Sequence, residues 1–151
     1  KLKKGEKLEM DGYFWFGNNR QFTHVEAPTA SGGVGFLVRE SLANVYNFEE
    51  IDKSFNDIIA MKFTHKFSNF NFLLISAYLP PETSPWGRDA NAFFNHVLQL
   101  MYTYHDCDAI FMLGDLNARV ANMPDVDVAI DDISNRCENI DVKINAHGRS
   151  Y

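Results

Sequence analysis

Apolar and polar positions divide the chain into short extended runs and one helical one. Tyr13-Phe14-Trp15-Phe16, introduced by Asp11-Gly12, is a compact aromatic run that suits a strand, and Gly17-Asn18-Asn19-Arg20 follows it as a turn whose polar cluster could touch a phosphate but reads first as solvent-exposed. Ser31-Gly32-Gly33 leads into a second strand, Val34 to Arg39. Asp57 to Phe63 and Asn69 to Leu79 flank a polar turn around His65-Lys66-Phe67-Ser68 and predict an antiparallel hairpin. Pro80-Pro81 closes the second arm, because proline has no amide hydrogen to give a ladder. Asp89 is placed to cap a helix from Ala90 to Tyr104, in which Phe93, Val97, Leu100 and Tyr104 recur at helical spacing and Phe94, Leu98 and Met101 widen the stripe. His105-Asp106-Cys107-Asp108 then leads into Ala109-Ile110-Phe111-Met112-Leu113, an uninterrupted apolar run that reads as a strand buried on both faces. Strand, helix and strand in that order predict an α/β sandwich.

Outside these elements the pattern is polar. Lys1 to Met10 reads as a solvated segment, and Ala121 to Arg136, with Asp125, Asp127, Asp131 and Asp132, as an acidic loop that lacks the ligand spacing of an EF-hand. Asn139 to His147 carries a short extended stretch. The glycines at 32, 33 and 35 read as packing positions: a phosphate loop needs Gly-Lys-Ser/Thr opening a helix, and a dinucleotide fingerprint needs a third glycine before one.

Composition narrows the class. With 151 residues, 46% of them hydrophobic, the chain is sized for one core, and its 13 phenylalanines are core material before they are anything else. A net charge of −6 argues against a polybasic nucleic-acid clamp, whose affinity comes from Lys and Arg neutralising phosphates. It is compatible with a phosphodiesterase in which a cation mediates between carboxylates and phosphate. Cys107 and Cys137 fit neither a disulfide framework nor a zinc pattern, which favours a reducing intracellular setting. No apolar run approaches the ~18 residues of a membrane-spanning helix.

The chemistry concentrates where the last apolar run ends, in Gly114-Asp115-Leu116-Asn117-Ala118-Arg119. Gly114 permits close approach of backbone to ligand, and if the extension persists, two-residue alternation sets Asp115 and Asn117 on one side of the strand end, where ligands bind in open α/β sheets. The carboxylate is suited to hold a water or a divalent cation, the amide to donate to a phosphate oxygen. An ordinary turn is the competing reading. Tyr78, at the end of the hairpin's second arm, carries a phenol able to donate to a phosphate oxygen, or simply a packed ring with a wet hydroxyl. The five histidines, His24, His65, His96, His105 and His147, lie far apart with no pairing motif and are assigned structural roles.

Taken together, Ser31-Gly32-Gly33-Val34-Gly35, Ser76-Ala77-Tyr78-Leu79-Pro80-Pro81 and Leu113-Gly114-Asp115-Leu116-Asn117-Ala118-Arg119 occur in the order and spacing of the endonuclease/exonuclease/phosphatase superfamily. The chain more closely resembles the apurinic-type endonuclease domain of LINE-type non-LTR retrotransposons, and Asn145-Ala146-His147-Gly148-Arg149 resembles the segment that follows the Gly-Asp-x-Asn strand there. The resemblance implies a four-layer α/β sandwich, two face-to-face sheets with helices outside, present over 1–151 as one partial domain incomplete at both ends. It implies Asp115 orienting or deprotonating the attacking water, Asn117 positioning Asp115 and the phosphate, and Tyr78 stabilising the phosphoryl group. A magnesium or manganese ion would be held at Asp115 and Asn117. The implied substrate is DNA, nicked to prime reverse transcription, with a reverse transcriptase domain on the same polypeptide and a nuclear setting. The family's first-strand Asn, its metal-binding Glu and its late Asp and Asp-His pair have no counterpart here, so negligible activity is expected of the chain by itself. Two other readings keep the fold: a phosphodiesterase for lipid phosphates or RNA, and a noncatalytic remnant or protein-binding module.

Overall fold

A computed structural model describes residues 6–20, 32–84, 89–118 and 145–147. Six strands and one α-helix form in the order β1 (Tyr13–Asn18), β2 (Val34–Arg39), a 3-10 turn (Glu40–Asn44), β3 (Tyr46–Asp52), β4 (Ile58–His65), β5 (Asn71–Tyr78), α1 (Ala90–Thr103) and β6 (Ala109–Asp115). β1 and β2 pair antiparallel as a two-stranded sheet; the other four form a sheet in the order β3-β4-β5-β6, antiparallel except for the parallel pair β5 and β6. The class is mixed α/β, as the alternation of apolar runs predicts.

Period-two alternation decides which way each core side chain points. On β4 and β5, Ile58, Ala60, Leu73, Ile75 and Ala77 face α1 and bury against its Ala90, Phe93, Val97 and Leu100. The intervening Met61 and Phe63 face the other way, where Val38, Phe16, Phe36 and Phe48 close a second core between the sheets. Each large side chain so buried contributes about 1.5–3 kcal/mol relative to exposure. The described residues therefore stack as small sheet, large sheet, helix. No helix covers the outer face of the small sheet among them.

Local chemistry sets the element ends. α1 begins where Asp89 accepts from the Ala92 amide at 2.9 Å, as the sequence predicts, and stops one residue short of Tyr104. The β4–β5 hairpin turns on His65, whose amide donates to the Phe70 carbonyl at 2.9 Å and whose ring nitrogen lies 2.9 Å from the Ser68 hydroxyl. The β5–β6 pair is held at its start by Asp108, which accepts from the Asn71 amide at 2.7 Å.

Four expectations are corrected. β6 is not buried on both faces: it is the outer strand of the described sheet, Ile110 and Met112 pack toward the helix, and Phe111 and Leu113 on the opposite face are 50% and 57% exposed because the two-stranded sheet does not extend over them. Leu98 falls outside the buried stripe of α1 at 48% exposed, on the flank turned from the sheet. The turn after β1 is not solvent-exposed, since Asn18 and Arg20 are each 5% exposed. Ala146 and His147 are helical where an extended stretch is expected. β3 is an element that the apolar pattern does not predict, because its alternation is broken by a bulge between Glu50 and Asp52. The acidic loop of 121–136 and Cys137 lie outside the described residues.

The loop joining β3 to β4 binds all three layers. The Asn18 side-chain amide, reaching across from the small sheet, donates to the carbonyls of Lys53, Phe55 and Ile58 at 3.1, 2.7 and 2.6 Å. Asp52 accepts from the His96 ring on α1 at 2.8 Å, and that ring stacks on Phe55 with centroids 5.2 Å apart. Burial alone would raise the Asp52 carboxyl, but hydrogen bonds from His96 and Ser54 outweigh it and hold the group below its ordinary value. Two outcomes are expected. Asn18→Ala, which leaves buried carbonyls without their donor, should destabilise the chain by about 1–3 kcal/mol in urea unfolding. A folded-state value below the unfolded one means that Asp52 stabilises at neutral pH and loses that contribution as pH falls below about 3.8. Asp52→Asn should therefore flatten the acid limb of a stability-versus-pH profile there, and an unchanged limb would rule out the contribution.

Candidate active site

The ends of β5 and β6 lie side by side because the two strands run parallel in register. That register pairs Tyr78 with Asp115, and the Leu79 amide donates to the Asp115 carbonyl at 2.9 Å. Two residues that the sequence places in separate motifs are thus neighbours on the same face of one sheet edge.

Gly114 makes the junction possible. Its φ of +149° is one that L side chains rarely adopt, and a Cβ there would overlap the carbonyl oxygen of Ala77 on β5. The chain then reverses: the Asp115 carboxylate Oδ1 accepts from the Asn117 amide at 2.9 Å, an Asx turn, while Asn117 sits in the left-handed region at φ 46°. The extension therefore does not persist past Asp115, and strand alternation does not place Asn117 beside it. Asn117 instead donates its side-chain amide to the Leu79 carbonyl at 2.9 Å, tying the turn after β6 back to the end of β5. That bond, together with the Asx turn, wins over continued extension because each satisfies a backbone group that the ending ladder leaves unpaired.

Tyr78, Asp115 and Asn117 are therefore brought together, each by a different device. Asp115 is exposed and Tyr78 and Asn117 are half-buried. The Tyr78 amide donates to the Asp57 carbonyl at 2.8 Å, which connects this corner to a second polar cluster on the same rim. There the Arg20 guanidinium meets the Asp57 carboxylate at 2.5 and 2.7 Å, both side chains about 95% buried, and the other Asp57 oxygen accepts from the Gly33 amide at 2.7 Å. Arg20 is thus committed to an internal ion pair. Gly33, at φ +95°, brings its amide to that carboxylate, in keeping with a packing role for this glycine.

A third segment docks at the corner. Asn145 donates its side-chain amide to the Asn117 carbonyl at 2.8 Å, the Ala146 amide donates to the Glu82 carboxylate at 2.7 Å, and His147 is 1% exposed. Asn18, Arg20, Asp57, Glu82 and Asn145 are the rim residues that sequence reasoning missed. The run Asn18-Asn19-Arg20 directly after an aromatic strand, and the resemblance carried by Asn145 to Arg149, are the signals that pointed toward them. An apolar groove of about 230 Å³ between Phe36, Leu42, Tyr46, Phe63, Phe72 and Leu74 lies toward the opposite ends of β4 and β5 and offers no comparable polar chemistry. Cys107 is a free thiol pushed up by burial, which disfavours a nucleophilic thiolate. No helix among the described residues is long and apolar enough to cross a membrane.

No family model and no curated protein matches the chain. Among solved structures it is similar to the human Nocturnin catalytic domain with bound sulfate, at 20% sequence identity and a TM-score of 0.47, with 72% of this chain and 44% of that one covered. The chain thus spans less than half the length of that domain.

Gly114→Ala tests the geometry of the junction. The added Cβ meets backbone that cannot give way without separating β5 from β6, so a loss of roughly 2–4 kcal/mol is expected in chemical unfolding, larger than for a typical surface change. A loss under about 0.5 kcal/mol would show that the strand ends do not depend on this approach.

Proposed function

We propose that this chain is part of an endonuclease/exonuclease/phosphatase domain of the LINE retrotransposon type, whose parent protein hydrolyses a DNA phosphodiester with a divalent cation to prime reverse transcription. The reading rests on one observation above all. Tyr78 and Asp115, from motifs 37 positions apart in sequence, sit opposite each other in register at a parallel strand end, with Asn117 bonded across the same gap.

The chain's own groups suit that chemistry. Asp115 keeps Oδ2 available beyond its Asx turn, on an exposed carboxylate able to orient a water and take its proton. The Tyr78 phenol, on the same face, is a donor for a phosphoryl oxygen as charge builds there. Asn117 holds the turn that aims Asp115 and has one amide hydrogen and its Oδ1 still to offer. In this reading Asp115 Oδ2 and Asn117 Oδ1 would hold Mg2+ or Mn2+, with water and substrate phosphate as the remaining ligands. A bound ion there neutralises charge at the phosphoryl group. A second reading keeps the fold and makes the chain alone a noncatalytic module.

Titrating Mn2+ and a short DNA duplex into isotopically labelled chain, with magnetic resonance at Tyr78 and Asn117, separates the readings. Metal-dependent perturbation by DNA, lost in Asp115→Ala, is expected. An equal or stronger response to poly(A) or to a phosphoinositide headgroup would move the substrate to RNA or lipid, and no response to any of them would leave the noncatalytic module. Nicking of supercoiled plasmid by the chain alone should be negligible, because the Glu and the Asp-His pair that act as a unit with Asp115 in the family it resembles have no counterpart here. Reproducible Mg2+-dependent nicking abolished by Asp115→Ala would overturn that expectation.

A further inference from the structure

We propose that Asn145, with Glu82 as its anchor, is a positioning residue for Asp115; the inference rests on the functional reading above and assigns a role to a segment that reading does not use. Asp115 is aimed by the Asx turn, and the turn is only as fixed as its hinge, Asn117, a non-glycine residue in the left-handed region at φ 46°. Three bonds hold that hinge. Its amide donates to Asp115 at 2.9 Å, its side chain donates to the Leu79 carbonyl at 2.9 Å, and its carbonyl accepts from Asn145 at 2.8 Å.

The first two come from residues within the strand ends. The third comes from 28 positions further along the chain, and it is the bond that fixes the orientation of the Asn117 carbonyl and hence of the peptide that leads away from the hinge. Asn145 is held in turn, because the amide of the next residue, Ala146, donates to the Glu82 carboxylate at 2.7 Å. Glu82 follows Pro80-Pro81 at the end of β5. The path is a closed loop of contacts: β5 to Glu82, to the 145–147 segment, to Asn117, and back to β5 through Leu79. Such a ring restricts the reactive carboxylate without touching it, as supporting residues do around preorganised sites.

The full chain carries the test in two readouts. The exchange rate of the Asn117 amide reports the Asx turn directly. In Asn145→Ala it should rise tenfold or more while the amides of Ile59, Leu73 and Ile75 in the core stay unchanged. Asn145→Asp, the same size without a donor, should match it, and Asn145→Gln, which keeps the donor, should recover part of the protection. The second readout is Mn2+ broadening of Tyr78 and Asn117 signals, whose midpoint should shift several-fold to higher Mn2+ in Asn145→Ala, an effect that loss of general stability with an intact core would not produce. Should Asn145→Ala lose its core protection, Glu82→Ala, which leaves Asn145 in place but removes its anchor, is expected to accelerate Asn117 exchange in the same direction. Unchanged Asn117 exchange in Asn145→Ala, or in Glu82→Ala where that variant decides, would overturn the proposal. If the wild-type chain shows no Mn2+ broadening, the metal reading fails, and the exchange rate alone upholds or overturns the positioning role.

Discussion

The β3–β4 loop is the constraint on which the other contacts depend. It makes a turn in which Asp57 takes a positive φ of 62°, and it leaves carbonyls that no ladder satisfies. Burying unpaired carbonyls is costly, so the loop packs only with donors brought to it from elsewhere. Asn18 brings them from the small sheet, His96 reaches Asp52 from the helix, and the Tyr78 amide meets the Asp57 carbonyl from β5. Arg20 and Gly33 then complete the Asp57 carboxylate. A buried pair of this kind is weak evidence for net stability, since desolvation offsets much of its attraction. Its effect is on geometry: with one partner gone the other charge is stranded, so the small sheet is confined to one position over the large one.

That constraint reaches the candidate site through one residue. The same Tyr78 whose amide closes onto Asp57 pairs with Asp115 in the next strand. The rim is therefore a continuous series of polar contacts from Asn18 at one side to Asn145 at the other, built over a close-packed core of aliphatic and aromatic side chains. The polar groups fixed at the strand ends and the rigidity beneath them have the same origin. Ladders end there, backbone groups are left over, and side chains that satisfy them are held in place by doing so.

The legible part of the sequence was the part governed by local rules. The hairpin of β4 and β5, the helix with its Asp89 cap, and the crossover to β6 follow from period, proline and capping chemistry, each of which acts within a few residues. β3 was illegible because a bulge interrupts its period. The exposure of Phe111 and Leu113 was illegible because apolar runs report composition and not what lies opposite them. Asn117 failed in an instructive way. Its proximity to the Asp115 carboxylate was expected from strand alternation and arises instead from a turn in which alternation has ended. Asn18 and Arg20 looked like surface turn residues because their partners lie 35 to 40 positions away, beyond the reach of any local signal.

The same contrast bears on how the site is able to work. A carboxylate on a strand that simply continued would be aimed by the sheet, and its direction would be as stable as the core. Asp115 is aimed by a turn that begins where the sheet stops, at a glycine pressed against Ala77 and a left-handed asparagine. Turns of this kind sit at the low-stability end of a fold unless something beyond the turn holds them. The Leu79 carbonyl and the Asn145 amide act from two sides of Asn117 and supply that restraint. Aim and exposure are thereby reconciled. The carboxylate stands exposed at the end of the last strand, and its direction is set by bonds made at Asn117, two residues further on.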